Sequence, residues 1–201
     1  MIIALDGPSA SGKGTIGRAV AKLLGYHYLD TGALYRMVGL EVMRAGLDAQ
    51  NEATSADIAT ALQPSKYKDE ELRGELVGGY ASKVAVLPGV RTALLKLQRD
   101  FAGQKPGAVL DGRDIGTVIC PKADFKFYIT ASVEARSQRR HLEAPEIPLA
   151  TIKAEIEARD FRDATRATAP LKPAADAVVI DTSAMGIEEA VAKVMGIIER
   201  D

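Results

Sequence analysis

Short apolar runs alternate with longer amphipathic stretches along most of this chain. The apolar runs have the length and flanking residues of buried strands, whereas the stretches between them repeat apolar residues at helical spacing. The pattern predicts strands at 2–6, 27–29, 108–111, 125–129 and 177–181. It predicts helices at 13–24, 32–45, 71–86, 89–101, 133–142, 149–162 and 187–199. Alternating strands and helices favour an α/β fold, with five parallel strands flanked by helices.

Two segments do not fit this alternation. Residues 48–71 are polar and contain Pro64, and they predict a small insertion with one helix near 55–62. Residues 143–148 carry Pro145 and Pro148 between two arginine-bearing helices, which predicts a mobile turn at the tip of a lid. Both segments are expected to lie within a single domain, 1–201, because the chain is long enough for only one core with additions.

Composition excludes several classes of function. The net charge of −1 gives no bulk attraction to nucleic acid. Cys120 is the only cysteine, and His27 and His141 are the only histidines, so neither a disulfide framework nor a histidine-based zinc site is expected. No apolar run approaches the length of a membrane span, and the chain enters a strand with no signal peptide, so we expect a cytoplasmic protein. Nothing in the sequence requires more than a monomer.

A glycine-rich loop directly follows the first predicted strand and precedes the first helix. This is the context in which such a loop binds phosphate, because its N–H groups face one centre and the helix N-terminus adds partial positive charge. Lys13 is expected to reach the outer phosphates, and Thr15 is the candidate hydroxyl ligand for a metal, since glycine rather than serine or threonine follows the lysine. The candidate phosphate-binding residues are Gly7, Pro8, Ser9, Ala10, Ser11, Gly12, Lys13, Gly14 and Thr15.

Charged residues follow the next two predicted strands. Asp30 and Thr31 precede a helix and can cap it, and Arg36 lies about one turn into that helix. Asp111 ends the third strand, where a carboxylate is well placed to hold Mg²⁺ through water, although capping of a turn is the alternative. Arg113 points toward the same edge of the sheet, where ligands of parallel sheets bind.

Residues 136–166 hold a set of arginines with a single lysine, Lys153. Arginine suits bidentate binding of phosphate. The interleaved acidic residues allow the alternative of a solvated surface, which fits Arg139 best. The set comprises Arg136, Arg139, Arg140, Arg159, Arg162 and Arg166.

The combination of a glycine-rich loop, many arginines and few histidines suits phosphoryl transfer. That reaction mainly requires neutralisation of phosphate charge and alignment of the donor with the acceptor. A phosphate acceptor is ionised near neutral pH and needs no general base, and the arginines offer a site for a second phosphate. An acceptor phosphate is therefore the favoured hypothesis.

Taken together, the chain resembles the bacterial cytidylate kinases over nearly its whole length. The resemblance is carried by residues 7–15, by Leu29-Asp30-Thr31-Gly32-Ala33-Leu34-Tyr35-Arg36, by 81–85 with 88–91, by Asp111-Gly112-Arg113-Asp114-Ile115-Gly116-Thr117, and by 159–171. It implies a P-loop NTPase-type sheet, with an NMP-binding region at 31–103 that includes the insertion, and a short lid region at 133–166. It also implies Mg²⁺- and ATP-dependent phosphorylation of CMP and dCMP to the diphosphates.

The resemblance assigns roles to individual positions. Lys13 and the lid arginines Arg136, Arg140 and Arg162 would meet the phosphates of ATP. Arg36 and Arg113 would hold the acceptor phosphate. The residues around cytosine would be Thr31, Arg91, Asp114 and Arg166. Those near the sugar would be Ser82, Arg159 and Asp163. Asp30 would also belong to the acceptor site.

Two departures from the family pattern stand out. Thr31 replaces a frequent serine but keeps the hydroxyl, and the insertion lacks a strand-rich piece of the longer bacterial enzymes. A related kinase acting on UMP, AMP or shikimate is the nearest alternative. A GTP-dependent switch is disfavoured because Asn51, the only asparagine, is followed by Glu52 and cannot begin a guanine-binding motif. A non-catalytic nucleotide-binding module is the third reading.

Overall fold

The computed structural model describes residues 1–200, apart from the side chain of residue 75. The strands are β1 (Ile2–Asp6), β2 (His27–Asp30), β3 (Ala108–Gly112), β4 (Phe125–Thr130) and β5 (Val178–Asp181). The helices are α1 (Lys13–Leu24), α2 (Thr31–Arg44), α3 (Glu52–Thr60), α4 (Glu75–Val84), α5 (Pro88–Ala102), α6 (Val133–Glu143), α7 (Leu149–Thr165) and α8 (Ile187–Ile198).

The five strands form one sheet in the order β2-β3-β1-β4-β5. The pairs of β1 with β3, of β1 with β4, and of β4 with β5 are parallel, which confirms the predicted α/β fold. Register places Asp6 opposite both Gly112 of β3 and Tyr128 of β4. The segments that leave β1, β3 and β4 therefore start from the same edge of the sheet, where parallel α/β folds bind ligands.

Backbone contacts divide the chain into two compact units. The sheet unit comprises residues 1–29 together with residue 102 onward, and the helical unit comprises Asp30–Phe101. Alternate residues of the strands, including Ile3, Leu5 and Phe127, pack with apolar residues of α1 and α8 to form the core of the sheet unit. Removing this apolar surface from water is the main driving force for folding of the unit.

The helical unit is built on α2 and α4. Leu34 and Val38 of α2 and Val77, Ala81 and Val84 of α4 are buried. The two helices approach closely at Gly39, because a Cβ there would lie 2.8 Å from the backbone nitrogen of Ala81. This glycine was not singled out from the sequence, although a glycine inside an otherwise helical pattern is a recognised signal of close packing.

The structure corrects several predicted boundaries. The predicted helix 71–86 begins only at residue 75, and residues 69–72 instead form a 3₁₀ turn. The insertion helix spans Glu52–Thr60 rather than 55–62, since the Asn51 side chain caps it by accepting the N–H of Thr54. The described part of 48–71 contains no strand, as expected. A π-helical turn at Ile115–Ile119 was not predicted. Residues 1–200 contain no helix long and apolar enough to cross a bilayer.

Candidate active site

The loop between β1 and α1 passes very close to a neighbouring strand. A Cβ at Gly7 would lie 2.0 Å from the carbonyl oxygen of Ile129, so only glycine fits there. Gly12, with φ of +87°, directly precedes α1 in the left-handed conformation that glycine tolerates best. These two positions turn the chain into the N-terminus of α1, where unpaired N–H groups favour an anion.

Lys13 folds back over this loop. Its ammonium group donates a hydrogen bond to the carbonyl oxygen of Pro8 at 3.1 Å, and Nζ lies 4.0 Å from Oδ1 of Asp111. The lysine is buried at the start of α1, whereas Thr15 is exposed on the same turn. The structure thus brings Lys13 and Asp111 together, as the sequence motifs suggest for a phosphate and metal site.

Residues outside the loop hold its carbonyl groups in place. Arg136 of α6 donates to the carbonyl oxygen of Ser9 at 3.3 Å, and the Thr182 hydroxyl lies 3.0 Å from the carbonyl oxygen of Ser11. Arg139 in turn donates to Thr182 and is half-buried, so it supports the loop rather than lying on a solvated surface. Thr182 was missed in the sequence because no motif marks a residue that follows the edge strand β5.

Asp6, the last residue of β1, organises the segment after β3. Its buried carboxylate accepts the backbone N–H groups of Ile115 and Gly116 at 2.7 and 2.8 Å, and so fixes the π-helical turn. Burial raises the pKa of Asp6 to about 6, because it outweighs the two backbone hydrogen bonds, which lower the pKa. The signal available in the sequence was a carboxylate that ends an apolar strand directly before the glycine loop.

Asp111 is held by Tyr28 of β2. The tyrosine hydroxyl donates to Oδ2 of Asp111 at 2.7 Å. A Cβ at Gly14 would lie 3.1 Å from that same carboxylate oxygen and 3.5 Å from the Tyr28 hydroxyl. Glycine after the lysine therefore leaves room for this hydrogen bond, which a larger residue would crowd.

A buried cluster of arginines and aspartates lies in the sheet unit. Arg113 donates from Nε to Oδ2 of Asp163 at 2.8 Å, and Arg166 lies 3.5 Å from Oδ1 of Asp114. Burial tends to raise the pKa of Asp163, but Arg113, Arg159 and Arg166 more than offset it and lower the pKa. The structure thus brings together all five of the predicted acceptor residues that belong to this unit.

The three predicted lid arginines lie in different environments. Arg136 is 3% exposed and forms a two-pronged ion pair with Asp160 of α7, through contacts of 3.1 and 2.6 Å. Arg140 is half-buried, 3.8 Å from Glu143, and Arg162 is exposed on α7. Arg136 therefore joins α6, α7 and the glycine loop, whereas Arg140 and Arg162 face water more openly.

In the helical unit, Asp30 has two partners. Its carboxylate caps α2 by accepting the N–H of Ala33 at 3.2 Å, which confirms the capping role, and it pairs with Arg36 at 2.5 Å. A Cβ at Gly32 would lie 3.0 Å from Asp30 Oδ1 and 3.3 Å from an Arg36 nitrogen. Gly32 therefore leaves room for this ion pair, and Thr31 beside it is buried.

Arg91 is a buried arginine of the helical unit. It donates to the carbonyl oxygen of Ala85 at 3.1 Å, and its guanidinium lies 5.7 Å from the centre of the Tyr35 ring. Such a cation–π contact orients a guanidinium while leaving further donors. Ser82 is half-buried on the last turn of α4.

The residues of the sheet unit fit a nucleotide phosphate chain. The hydroxyls of Ser9 and Ser11 are buried and have no hydrogen-bond partner among the described residues, which suits donors to an anion. The Asp111 carboxylate offers oxygen atoms of the kind that Mg²⁺ prefers as ligands. No group of three or more metal-ligating side chains occurs in residues 1–200. Such a site fits Mg²⁺ bound through one carboxylate and the phosphates, rather than an ion held by protein alone.

Comparison with known proteins agrees with this geometry. The family model described as cytidylate kinase matches residues 3–200. The chain is 51% identical to a cytidylate kinase of Bradyrhizobium sp. (strain ORS 278), over 99% of this chain and 96% of that protein. It is 52% identical to a cytidylate kinase of Azorhizobium caulinodans, over 100% of this chain and 98% of that protein.

A solved structure extends the comparison to the fold. A shikimate kinase from Bacteroides thetaiotaomicron matches with a TM-score of 0.54 at 13% identity, covering 99% of this chain and 98% of that one. At that identity the match shows a shared kinase-type fold alone. The family model and the relatives at about 50% sequence identity both span almost the whole chain. This chain therefore belongs to the cytidylate kinase family.

Proposed function

We propose that this protein transfers the γ-phosphoryl group of ATP to the phosphate of CMP or dCMP, with Mg²⁺, and yields ADP and CDP or dCDP. The observation that carries the proposal is the buried cluster of Arg113, Asp114, Asp163 and Arg166 in the same unit as the glycine loop. A phosphate-binding loop alone predicts a nucleotide donor. A second cluster, in which aspartates hold the two arginines, would supply an acceptor site, as phosphoryl transfer between two nucleotides requires.

The loop residues 7–15 are proposed to bind the donor phosphates. Their N–H groups, the N-terminus of α1 and the Lys13 ammonium all present positive charge to one region. Asp111, through water, and Thr15 would hold Mg²⁺, which when bound neutralises charge on the transferring phosphates. Arg136, Arg140 and Arg162 are proposed to add positive charge from the lid region, 133–166.

Arg36 and Arg113 are each proposed to contact the acceptor phosphate, as the resemblance to the family implies. Arginine suits this role because its planar fork binds two phosphate oxygens at once. Asp163 and Asp30 pair with these arginines and orient them. No general base is required, because the acceptor oxygen already carries negative charge near neutral pH.

Recognition of cytosine is proposed to rest on Asp114 and Arg166, with Arg91 and Thr31. Cytosine presents an amino donor at N4 and an acceptor at N3, whereas uracil presents the reverse pattern. Asp114 and Arg166 already lie 3.5 Å apart, so an acceptor and a donor are set side by side. Uracil would turn an acceptor toward Asp114 and a donor toward Arg166, and such mismatched contacts are costly for buried polar groups. Ser82, Arg159 and Asp163 are proposed to contact the sugar.

An acceptor profile tests the proposal. ADP release is measured with CMP, dCMP, UMP, AMP and shikimate at matched concentrations, and CMP and dCMP should give the highest kcat/KM. If another acceptor is best, the substrate assignment is wrong.

The Lys13→Ala variant should abolish turnover while it keeps the far-ultraviolet circular dichroism spectrum, and unchanged turnover would refute the role of the glycine loop. Sedimentation velocity should show a monomer.

A further inference from the structure

Tyr28 makes a close polar contact with a residue far away in sequence. Its hydroxyl donates to Oδ2 of Asp111 at 2.7 Å, although the two residues are 83 positions apart. A bond of this length from a hydroxyl to a carboxylate is charge-assisted. It occupies one carboxylate oxygen, while the other, Oδ1, lies 4.0 Å from the Lys13 ammonium.

Helix α1 is shaped around this tyrosine. A Cβ at Gly17 would lie 2.9 Å from Cε2 of the Tyr28 ring, and the Arg18 guanidinium lies 5.3 Å from the ring centre. At Gly14 a Cβ would lie 3.5 Å from the Tyr28 hydroxyl. The hydroxyl therefore occupies the space next to the residue after the lysine, which in the general P-loop pattern carries a serine or threonine hydroxyl.

We propose that Tyr28 is a positioning residue for the metal–nucleotide site. Its hydroxyl fixes the orientation of the Asp111 carboxylate and lies in the space next to position 14, which a side chain larger than glycine would crowd. The inference rests on the proposed function, in which Asp111 helps to hold Mg²⁺ on the nucleotide. The proposed role of Tyr28 is to act through Asp111 and not as a ligand of the metal or the phosphates.

The expected consequence is specific to the metal. Without the hydroxyl, the Asp111 carboxylate loses the partner that orients its Oδ2 atom, and loss of a partner that orients a metal-binding group typically costs about 10- to 100-fold in metal affinity or activity. Binding of ATP without metal depends on the loop N–H groups and Lys13, so it should not change.

The test measures nucleotide binding by calorimetry, once with Mn²⁺–ATP and once with ATP and a chelator. Tyr28→Phe should weaken Mn²⁺–ATP binding at least about tenfold and leave metal-free ATP binding unchanged. The Mn²⁺ paramagnetic resonance spectrum of the bound complex should also change. Tyr26→Phe is the matched control, because it removes a hydroxyl two residues earlier from a ring that packs on the core and over Gly107.

A second variant tests whether position 14 and Tyr28 share one role. Gly14→Ser alone should weaken Mn²⁺–ATP binding, since its Cβ would crowd Asp111. In the Tyr28→Phe background the Asp111 carboxylate is no longer held by the tyrosine hydroxyl, so it can shift away from the Cβ and accept the serine hydroxyl, and the double variant should bind several-fold tighter than Tyr28→Phe alone. A double variant no better than Tyr28→Phe contradicts the shared role.

The Asp111→Asn variant distinguishes a failure of the proposed metal role of Asp111 from a failure of the proposed role of Tyr28. If it leaves Mn²⁺–ATP binding unchanged, the proposed metal role of Asp111 fails, and the inference fails with it. If Asp111→Asn weakens binding but Tyr28→Phe does not, only the inference about Tyr28 is overturned. Equal losses with and without metal in Tyr28→Phe would show a purely structural residue and would also overturn it.

Discussion

Asp6 carries a buried negative charge that holds the turn after β3. Its carboxylate accepts two backbone N–H groups, yet burial raises its pKa to about 6, above the ordinary value of 3.8. The folded state therefore binds a proton more tightly than the unfolded state. By linkage, this contribution to the free energy of unfolding is fully present below about pH 3.8 and is lost as the pH rises through about 6.

The first prediction concerns this titration. The ¹³C carboxyl resonance of Asp6, assigned by its loss in Asp6→Asn, should titrate near pH 6. The stability advantage of the wild type over Asp6→Asn should be larger at pH 4 than at pH 7, by up to about 3 kcal/mol. Titration near pH 4, with a pH-independent difference, would contradict the burial argument.

The second prediction concerns Arg91, whose guanidinium is aligned by Ala85 and the Tyr35 ring. Arg91→Met should lower kcat/KM for CMP by about 10- to 100-fold, as expected for loss of a charged hydrogen bond, and should lower it less for UMP. Steady-state kinetics with both acceptors checks this. Arg99→Met, at an exposed position of the same helix, is the control and should change neither value substantially. Equal losses for CMP and UMP would refute a role for Arg91 in base recognition.

At the scale of elements, the helical unit depends on one close approach between two helices. A Cβ at Gly39 of α2 would lie 2.8 Å from the Ala81 nitrogen and 3.0 Å from the Tyr80 carbonyl carbon. Both contacts are with backbone, which cannot rotate away as a side chain can. The spacing of α2 and α4 is therefore set by a residue with no side chain.

The third prediction compares two glycine substitutions in these helices. Gly39→Ala should lower the free energy of unfolding by about 1–3 kcal/mol, because the overpacking outweighs the gain in helix propensity. At Gly78 of α4 an added Cβ has no neighbour within 4 Å, so Gly78→Ala should raise the free energy of unfolding by up to about 1 kcal/mol. Urea titration of both variants provides the measurement. A Gly39→Ala variant as stable as Gly78→Ala would show that α2 and α4 can separate without cost.

At the scale of the whole molecule, ligand binding and stability are linked. A ligand that binds only the folded state raises the free energy of unfolding by about 2.7 kcal/mol at 100 times its dissociation constant. For a chain of 201 residues this corresponds to a Tm increase of about 5–10 °C.

The fourth prediction follows from that linkage. CMP should raise Tm more than UMP at the same concentration, and the measurement is differential scanning fluorimetry without ATP, so that no turnover occurs. Arg166→Met should reduce the difference between the two nucleotides, since it removes the guanidinium beside Asp114. An equal shift with CMP and UMP in the wild type would contradict cytosine recognition in the free enzyme.

The alternation of apolar and polar residues was sufficient to predict the five strands and the parallel sheet, because each buried strand and amphipathic helix is encoded within a few neighbouring residues. Boundaries were less predictable where side-chain caps intervene, as at Asn51, which starts α3 three residues early. The π-helical turn was missed because it is held by Asp6, and its two hydrogen bonds cross 109 and 110 positions of the chain.

In the candidate site, too, some features could be predicted from the sequence and others could not. The sequence by itself determined the glycine loop, Lys13 and the presence of many arginines, since these depend on residue type and local spacing. Only the tertiary structure decided which arginine has which partner: Arg136 joins the loop to Asp160, Arg139 supports Thr182, and Arg113 pairs with Asp163. It also explained Gly14, whose missing side chain leaves room for Tyr28 and Asp111. Arginines have equal donors wherever they stand in a sequence, and only folding fixes which acceptor comes within about 3 Å of each.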